Sequence, residues 1–416
     1  IGEIDGDFTS NSANGDAYAN GGAIYIKGGS DREGNPGFAV TVDMIDGDFS
    51  RNSVTATADK GAFVAEAYMK NSTGGAVSIK EENGAATVTI DGDFEYNTVT
   101  TNATNAFGGA IYNEGTLTLE DSDFTYNKAA STSGKSRGGA IYNAATNAKG
   151  DTVAGSVTIK GDVDIIGNSA GWGGAIWNEG KLVFNNNGQQ VTFGGNSATA
   201  GNAGGGAIYN IGSIGTLSHM LFQGNSADMG GAINNGWFEG KGGQIETITN
   251  SFFVGNVGKD GGAIRSNSHI GSITGVRFER NVSANGGALW NGSLATLDKI
   301  GSVDKTDKVQ FLYNAATASS KGDRQGGAIT NGGVINLVSN TDFIGNQAGD
   351  IGGAIANTVS QAGKTPTITL QNVLFDSNSA GKNGGAIHNV SGSVVNLMGN
   401  NTFVNNFAGG VANDIH

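Results

Sequence analysis

Two short words alternate along this chain, and nothing else in the sequence constrains its fold as tightly. Phe-x-x-Asn begins at Phe8, Phe49, Phe94, Phe124, Phe193, Phe222, Phe253, Phe278, Phe311, Phe343, Phe375 and Phe403, and a further copy, Ile165 to Asn168, puts Ile in the Phe place. Between successive copies stands Gly-Gly-Ala followed by an aliphatic residue, from Gly21 through to Gly384, and a decayed Gly409-Gly410-Val411-Ala412 follows the last. Spread over 416 residues, the mean unit is about 32 residues long. A unit of this size cannot bury an apolar core alone; it must stack on its neighbours.

A third, looser element fills the space between each Gly-Gly-Ala and the next Phe. Thr87-Val88-Thr89-Ile90, Thr116-Leu117-Thr118-Leu119 and Thr367-Ile368-Thr369-Leu370 alternate polar and apolar residues, the period of half-buried strands. Gly and Asn between the strands tolerate the left-handed backbone of tight corners. No stretch keeps a helical period; Asp59 to Lys70 comes nearest and reads as an inserted loop. Three short strands per unit, with corners between, make one coil of a parallel β-helix. The expectation is therefore an all-β solenoid of about 13 coils forming a single domain, 1–416, with longer insertions in units 1–170 and more regular coils in 171–416. Leucine-rich repeats and propeller blades are excluded, because Leu-x-x-Leu-x-Leu and a Trp-Asp signature are both missing.

In such a coil the Phe residues stack into one interior column. The Asn closing each Phe-x-x-Asn, among them Asn97, Asn127, Asn225 and Asn256, would sit at corners and bond to the coils above and below. These positions are the expected structural core.

Composition narrows the function classes. Gly numbers 72, about 17% against a usual ~7%, yet with no triplet period and 2 Pro the chain is not collagen. The absence of Cys removes disulfides, thiolate metal sites and thiol catalysis. A net charge of −13 repels phosphate backbones, so nucleic acid is not an expected partner. No apolar run approaches the ~20 residues of a membrane span, so this segment is not expected to insert into a membrane.

Tandem Gly-Gly-Ala-Ile and Phe-x-x-Asn resemble the repeats of the polymorphic membrane proteins of chlamydiae and of similar bacterial autotransporter passenger domains. The resemblance runs from Phe8 to Ala412. It implies a right-handed, single-stranded parallel β-helix displayed outside the cell or on the bacterial outer-membrane surface, often adhesive. The chain departs from many chlamydial members in having no Cys, and no run of amphipathic membrane strands follows Phe403.

Candidate functional residues lie where the repeat varies. Insertions at Ser53–Thr73, Thr98–Phe107, Lys128–Arg137 and Ala315–Gln325 leave from one corner, and Lys27–Val40 and Ala144–Ala154 from another. These insertions read as loops, and the edge they share is the first choice for a binding surface. The variable residue of Gly-Gly-Ala-Ile-x-Asn gives a second candidate: Tyr25, Tyr112, Tyr142, Trp177, Tyr209 and Trp290. Alternation points them outward, an exposed aromatic stripe suited to sugar rings or lateral contacts. A third is the acidic strip of Asp5, Asp7, Asp46, Asp48, Asp91 and Asp93, whose hard oxygen ligands suit Ca²⁺, although the calcium-binding Gly-Gly-x-Gly-x-Asp nonapeptide is missing and a solvated, solubilising edge is the preferred reading.

No catalytic residue is assigned. A polysaccharide lyase or hydrolase on this fold needs clustered carboxylates or an Arg or Lys base. The densest mixed patch, Asp260, Arg265, His269, Arg277, Glu279 and Arg280, has no catalytic spacing, and Arg277 with Glu279 reads as an outward ion pair. The chain begins at Ile1 and shows no capping segment, which reads as a piece of a longer solenoid or as ends that pair head to tail into a filament. The partners expected are thus further copies of the chain, end to end or laterally, and host or environmental glycans or proteins.

Overall fold

The computed structural model describes residues 1–15, 19–29, 39–56, 71–82, 85–102, 105–132, 135–145, 155–238, 240–302, 307–317, 324–358 and 364–416. Every regular element among them is a β-strand of two to seven residues. One turn shows how the sequence winds. Thr116–Glu120 is the alternating strand, Phe124–Thr125 carries the Phe, and Ile141–Asn143 carries Ile-x-Asn. Each pairs in parallel with its equivalent in the next turn: Leu117 with Val157, Phe124 with Ile165, Ile141 with Ile176. Stacked parallel sheets built in this way define a parallel β-helix.

The chain divides into two compact units, Ile1–Ala203 with Ala207–Ser213, and Gly204–Gly206 with Ile214–His416. In the first, the alternating strands pair in sequence order from Glu3–Asp5 to Lys181–Asn185, and the Phe strands from Phe8–Thr9 to Val191–Gly194. In the second, the same two kinds of strand run in order to Val394–Met398 and Thr402–Val404. The inward residues of the alternating strands, such as Val88, Ile90, Leu117 and Leu119, are fully buried.

The Phe column forms in both units. In the first, Phe8, Phe49, Phe94 and Phe124 stack with centroids 4.7–4.8 Å apart, and Ile165 takes the next place in register. In the second, Phe222 to Phe403 stack at 4.7–5.0 Å. Each buried ring contributes about 2 kcal/mol by area, and its stacked contact adds about 1 kcal/mol.

The corner after each Phe needs a left-handed residue and then a buried amide. Tyr96 at φ 54° makes the corner, and Asn97 behind it is fully buried. The Asn97 amide nitrogen donates to Asn127 Oδ1 at 3.0 Å and to the Phe49 carbonyl at 2.8 Å, while its backbone N–H donates to the same Asn127 oxygen at 2.9 Å. The pattern repeats through Asn168 in the first unit and from Asn256 through Asn281, Asn314, Asn346 and Asn378 in the second. A second ladder joins Asn113, Asn143, Asn178 and Asn210.

Both glycines of Gly-Gly-Ala are required. Gly108 sits at φ 66°, and a Cβ on Gly109 would meet the Gly139 carbonyl oxygen at 2.0 Å and Lys128 backbone at 2.6 Å. Main chain therefore lies directly on main chain at this corner.

Two insertions expected as loops are strands. Thr98–Thr101 with Asn105–Phe107, and Lys128–Ser131 with Ser136–Arg137, pair in parallel register with each other and with Ser53–Ala56 and Asn71–Thr73. Their small inward residues, Val99, Ala106 and Ala129, pack with Val54 into a core cluster of their own, which draws the segments back onto the stack. Coils in the second unit also have a two-residue strand here, such as Val282–Ser283 and Ala315–Ala316, so three strands per coil undercounts them. The central parts of the insertions at Ser53–Thr73, including Asp59 to Lys70, and at Lys27–Val40, Ala144–Ala154 and Ala315–Gln325 lie outside the described residues.

Candidate binding surfaces

The variable residues of Ile-x-Asn do line up. Tyr112, Tyr142, Trp177 and Tyr209 pair in register, and their rings stack with centroids 5.3, 6.4 and 4.2 Å apart. They are not a surface stripe, however: the four are 1–5% exposed. Two residues just before Gly-Gly, Phe107 and Arg137, lie over this row. Phe107 stacks on Tyr142 at 4.5 Å, and the Arg137 guanidinium lies 4.3 Å from the centre of the Trp177 ring. Buried carboxylates collect the polar edges: Tyr112 donates to Glu114 at 2.7 Å, and Tyr142 and Trp177 donate to Glu179 at 2.7 and 2.8 Å. Arg137 is 3.6 Å from that same Glu179 carboxylate. Burial, and then the facing carboxylates, push both tyrosine hydroxyls well above their ordinary range. These rings are an interior cluster, because long side chains on the accessory strands close over them. Tyr25 remains half exposed and Trp290 partly so.

In the second unit the covering row changes character. The residues before Gly-Gly are Met229, Asp260, Asn285, Gln325, Ile351 and Asn383, joined by single parallel bridges, and the three in the middle of the row beside Trp290, Asp260, Asn285 and Gln325, are polar. A groove of about 530 Å³ lies beside them, with Arg265 and Trp290 of the variable row partly exposed in it, while Asn234, Thr330 and Ala356 of the same row are buried. Trp290 lies in it, and a Cβ on Gly292 would touch the edge of its ring at 2.3 Å, so the indole lies against that glycine. The guanidinium of Arg265, one coil earlier, stands 4.7 Å from the ring centre and also donates to Asn234 at 3.2 Å. In register one coil later stands Thr330, which is buried. At the rim Asn285 donates to the Asp260 carboxylate at 2.9 Å.

The mixed charged patch separates into local pairs. His269 meets Asp298 at 2.8 Å, Arg277 meets Glu279 at 2.7 Å as the alternation predicts, and Arg280 pairs with the same Glu279. Asp260 and Arg265 belong to the groove instead. The six residues do not converge on one point.

The acidic strip forms two rows. Asp5, Asp46 and Asp91 stand in register and lead on to Glu120 and Lys160. Asp7, Asp48, Asp93, Asp123 and Asp164 form a ladder in which each carboxylate accepts the backbone N–H of the next Asp at 2.7–3.2 Å. Desolvation and neighbouring carboxylates raise Asp91, and desolvation also raises Asp123 despite its backbone bond. Among the described residues no three acidic or imidazole groups come together to hold a metal ion, so the strip offers Ca²⁺ no converging ligand set.

Sequence reasoning missed another aromatic row. Tyr96, Tyr126 and Tyr313 occupy the left-handed corner before Asn, at φ 54–55°, and are 44–54% exposed. Tyr96 and Tyr126 stack at 5.2 Å. The signal was present: Gly fills this place in other units, as at Gly224, Gly255 and Gly345, so a bulky residue there marks a position held at a conformational cost.

No curated protein and no solved structure matches the chain at a significant level. Residues 162–179 and 372–390 each span one Phe-x-x-Asn corner, with Ile165 in the Phe place in the former, and the Gly-Gly-Ala-Ile-x-Asn that follows. At these two places the chain matches the model of the Chlamydia polymorphic membrane protein repeat.

Proposed function

We propose that the chain is a non-enzymatic β-helix of the cell surface or extracellular space, and that it acts as an adhesive passenger. The observation that carries this reading is the repeat match at 162–179 and 372–390 on a parallel β-helix whose recurring residues are consumed by its interior. The recurring Phe, Asn and Gly build the stack, and the solvent-facing features include the groove at Trp290 and the tyrosine corners at Tyr96 and Tyr126. The dispersal of the charged patch into separate ion pairs supports a binding role over turnover. Antibody labelling and protease shaving of intact source cells, with adhesion of the purified chain to cells, test the proposal. Surface labelling and saturable adhesion are expected. Confinement to the cytosol, or turnover of acidic polysaccharides lost in His269→Ala or Glu279→Ala, would overturn it.

A further inference from the structure

We infer that the segment from Val411 to His416 is a pH-sensitive strap, seated on the preceding coil at neutral pH and released when acid charges the stacked pair His388 and His416. The inference goes beyond the adhesive reading and does not rest on it.

Three observations carry it. First, the chain leaves its regular winding after Asn406. Phe407–Ala408 and Val411–Ala412 pair antiparallel about Gly409 and Gly410, at φ 58° and 81°. The reversal lays Asn413 to His416 along Gly385 to Asn389. There the N–H groups of Gly385, Ile387 and Asn389 donate to the Asn413, Asp414 and His416 carbonyls at 2.7–2.9 Å, and the His416 N–H donates to the Ile387 carbonyl at 3.1 Å. Val411 and Ile415 are 65% and 45% exposed, so these main-chain bonds seat the strap with little apolar burial behind them. A segment held in this way opens locally while the stack stays folded.

Second, two imidazoles meet at its end. The His416 ring lies on His388 with centroids 5.2 Å apart and planes 20° from parallel. His388 holds the variable place of Ile-x-Asn, with Ala356 in register one coil earlier. Its Nδ1 is buried and has no hydrogen-bond partner. Both nitrogens of a charged imidazole are donors, so a proton on His388 puts an N–H where nothing accepts it. Charging both rings also sets two cations face to face. Asn413 Oδ1, buried on the strap without a donor, is another unmet group that release returns to water.

Third, the charged groups around the pair are engaged elsewhere. On the strap, the Asp414 carboxylate accepts the Asn406 amide at 3.0 Å. In the neighbouring coils, Arg324 and Lys382 both pair with Asp350. Burial, and then the His416 imidazole, hold His388 below the ordinary range of histidine. A lowered folded value means that the seated strap has its full stability above about pH 6.5 and loses it as pH falls through that lowered value.

The test is hydrogen exchange on the purified chain at about pH 7.5 and about pH 5, corrected for the intrinsic pH dependence of exchange. The amides of Gly385, Ala386, Ile387 and Asn389, which donate to the strap, should lose protection about tenfold or more at the lower pH. Those of Ala354 and Ile355, which donate to the Ala386 carbonyl one coil earlier, should keep theirs. His388→Phe keeps a ring and removes the titrating group, so its protection should be equally high at both pH values. His416→Phe should behave alike, so the result does not hang on one variant. Equal protection of the unaltered chain at both pH values, a loss that extends equally to Ala354 and Ile355, or an undiminished pH effect in both Phe variants would each overturn the inference.

Discussion

An asparagine amide buried at a turn has four hydrogen-bonding sites to satisfy and no water to help. The ladder solves this with neighbouring coils alone: Asn281 Oδ1 accepts the backbone and side-chain nitrogens of Asn256, and its own Nδ2 reaches Asn314 and the Phe253 carbonyl. Asn281→Ala would remove four hydrogen bonds and leave the buried Asn256 N–H without its acceptor, and a loss of about 3 kcal/mol is expected in denaturant titration. Asn396→Ala on the exposed strand should change stability by less than about 0.5 kcal/mol. Glycine shows the same dependence on place. A Cβ on Gly262 would lie 2.1 Å from the Gly287 carbonyl oxygen, whereas one on Gly255, at φ 61°, meets nothing within 4 Å. Gly255→Ala should cost about 1 kcal/mol, and Gly262→Ala should prevent the coil from forming, with lost hydrogen-exchange protection around it as the readout.

At the scale of elements, the accessory strands of the first unit act as a cover over an aromatic stack. Arg137 holds that cover down through the faces of Phe107 and Trp177 and through Glu179. Arg137→Ala leaves Glu179 buried without this cation; a loss of about 3 kcal/mol and easier acrylamide quenching of Trp177 are expected. The Phe column and the Asn ladder were legible in the sequence, because a residue that stacks on its own equivalent must recur. The cover was not. Lys128-Ala129-Ala130-Ser131 reads as a loop, since its inward side chain is a single Ala whose partners, Val54 and Val99, stand in other coils. Burial of Tyr112 and Trp177 was hidden for the same reason: alternation says which side of a strand a residue faces, not what lies over it. The Trp290 groove depends on the contrast between Arg137 in one covering row and Asp260 and Asn285 in the other. That contrast is visible in the residues before Gly-Gly once their place in the coil is known.

Across the whole molecule, acidity and stability are linked. Asp91 and Asp123 are raised in the folded state by desolvation and by neighbouring carboxylates. A raised folded value favours folding below the ordinary Asp value of about 4, and the benefit disappears as pH rises through the raised value. Asp350 opposes them: Arg324 and Lys382 hold its carboxylate well below the usual range, so its stabilisation stands at neutral pH and fades only as strong acid titrates it. Moving from pH 7 down towards about 4 should therefore raise Tm slightly, before stronger acid reverses the gain. Asp123→Asn, which keeps an acceptor for the Asp164 N–H, should raise Tm at pH 7 and reduce this pH dependence.

Parallel register between successive coils underlies the Phe column and the Asn ladders, and the lack of native cysteine makes it directly measurable. Thr247 and Ser272, 25 positions apart, face each other on adjacent strands with hydroxyls 3.2 Å apart. Mild oxidation of Thr247→Cys/Ser272→Cys should close a disulfide quantitatively, since in-register neighbours on paired strands stand within its span. The displaced pair Thr249→Cys/Ser272→Cys should stay reduced under the same conditions. Equal yields from the two pairs, or none from the first, would contradict the stacked parallel β-helix.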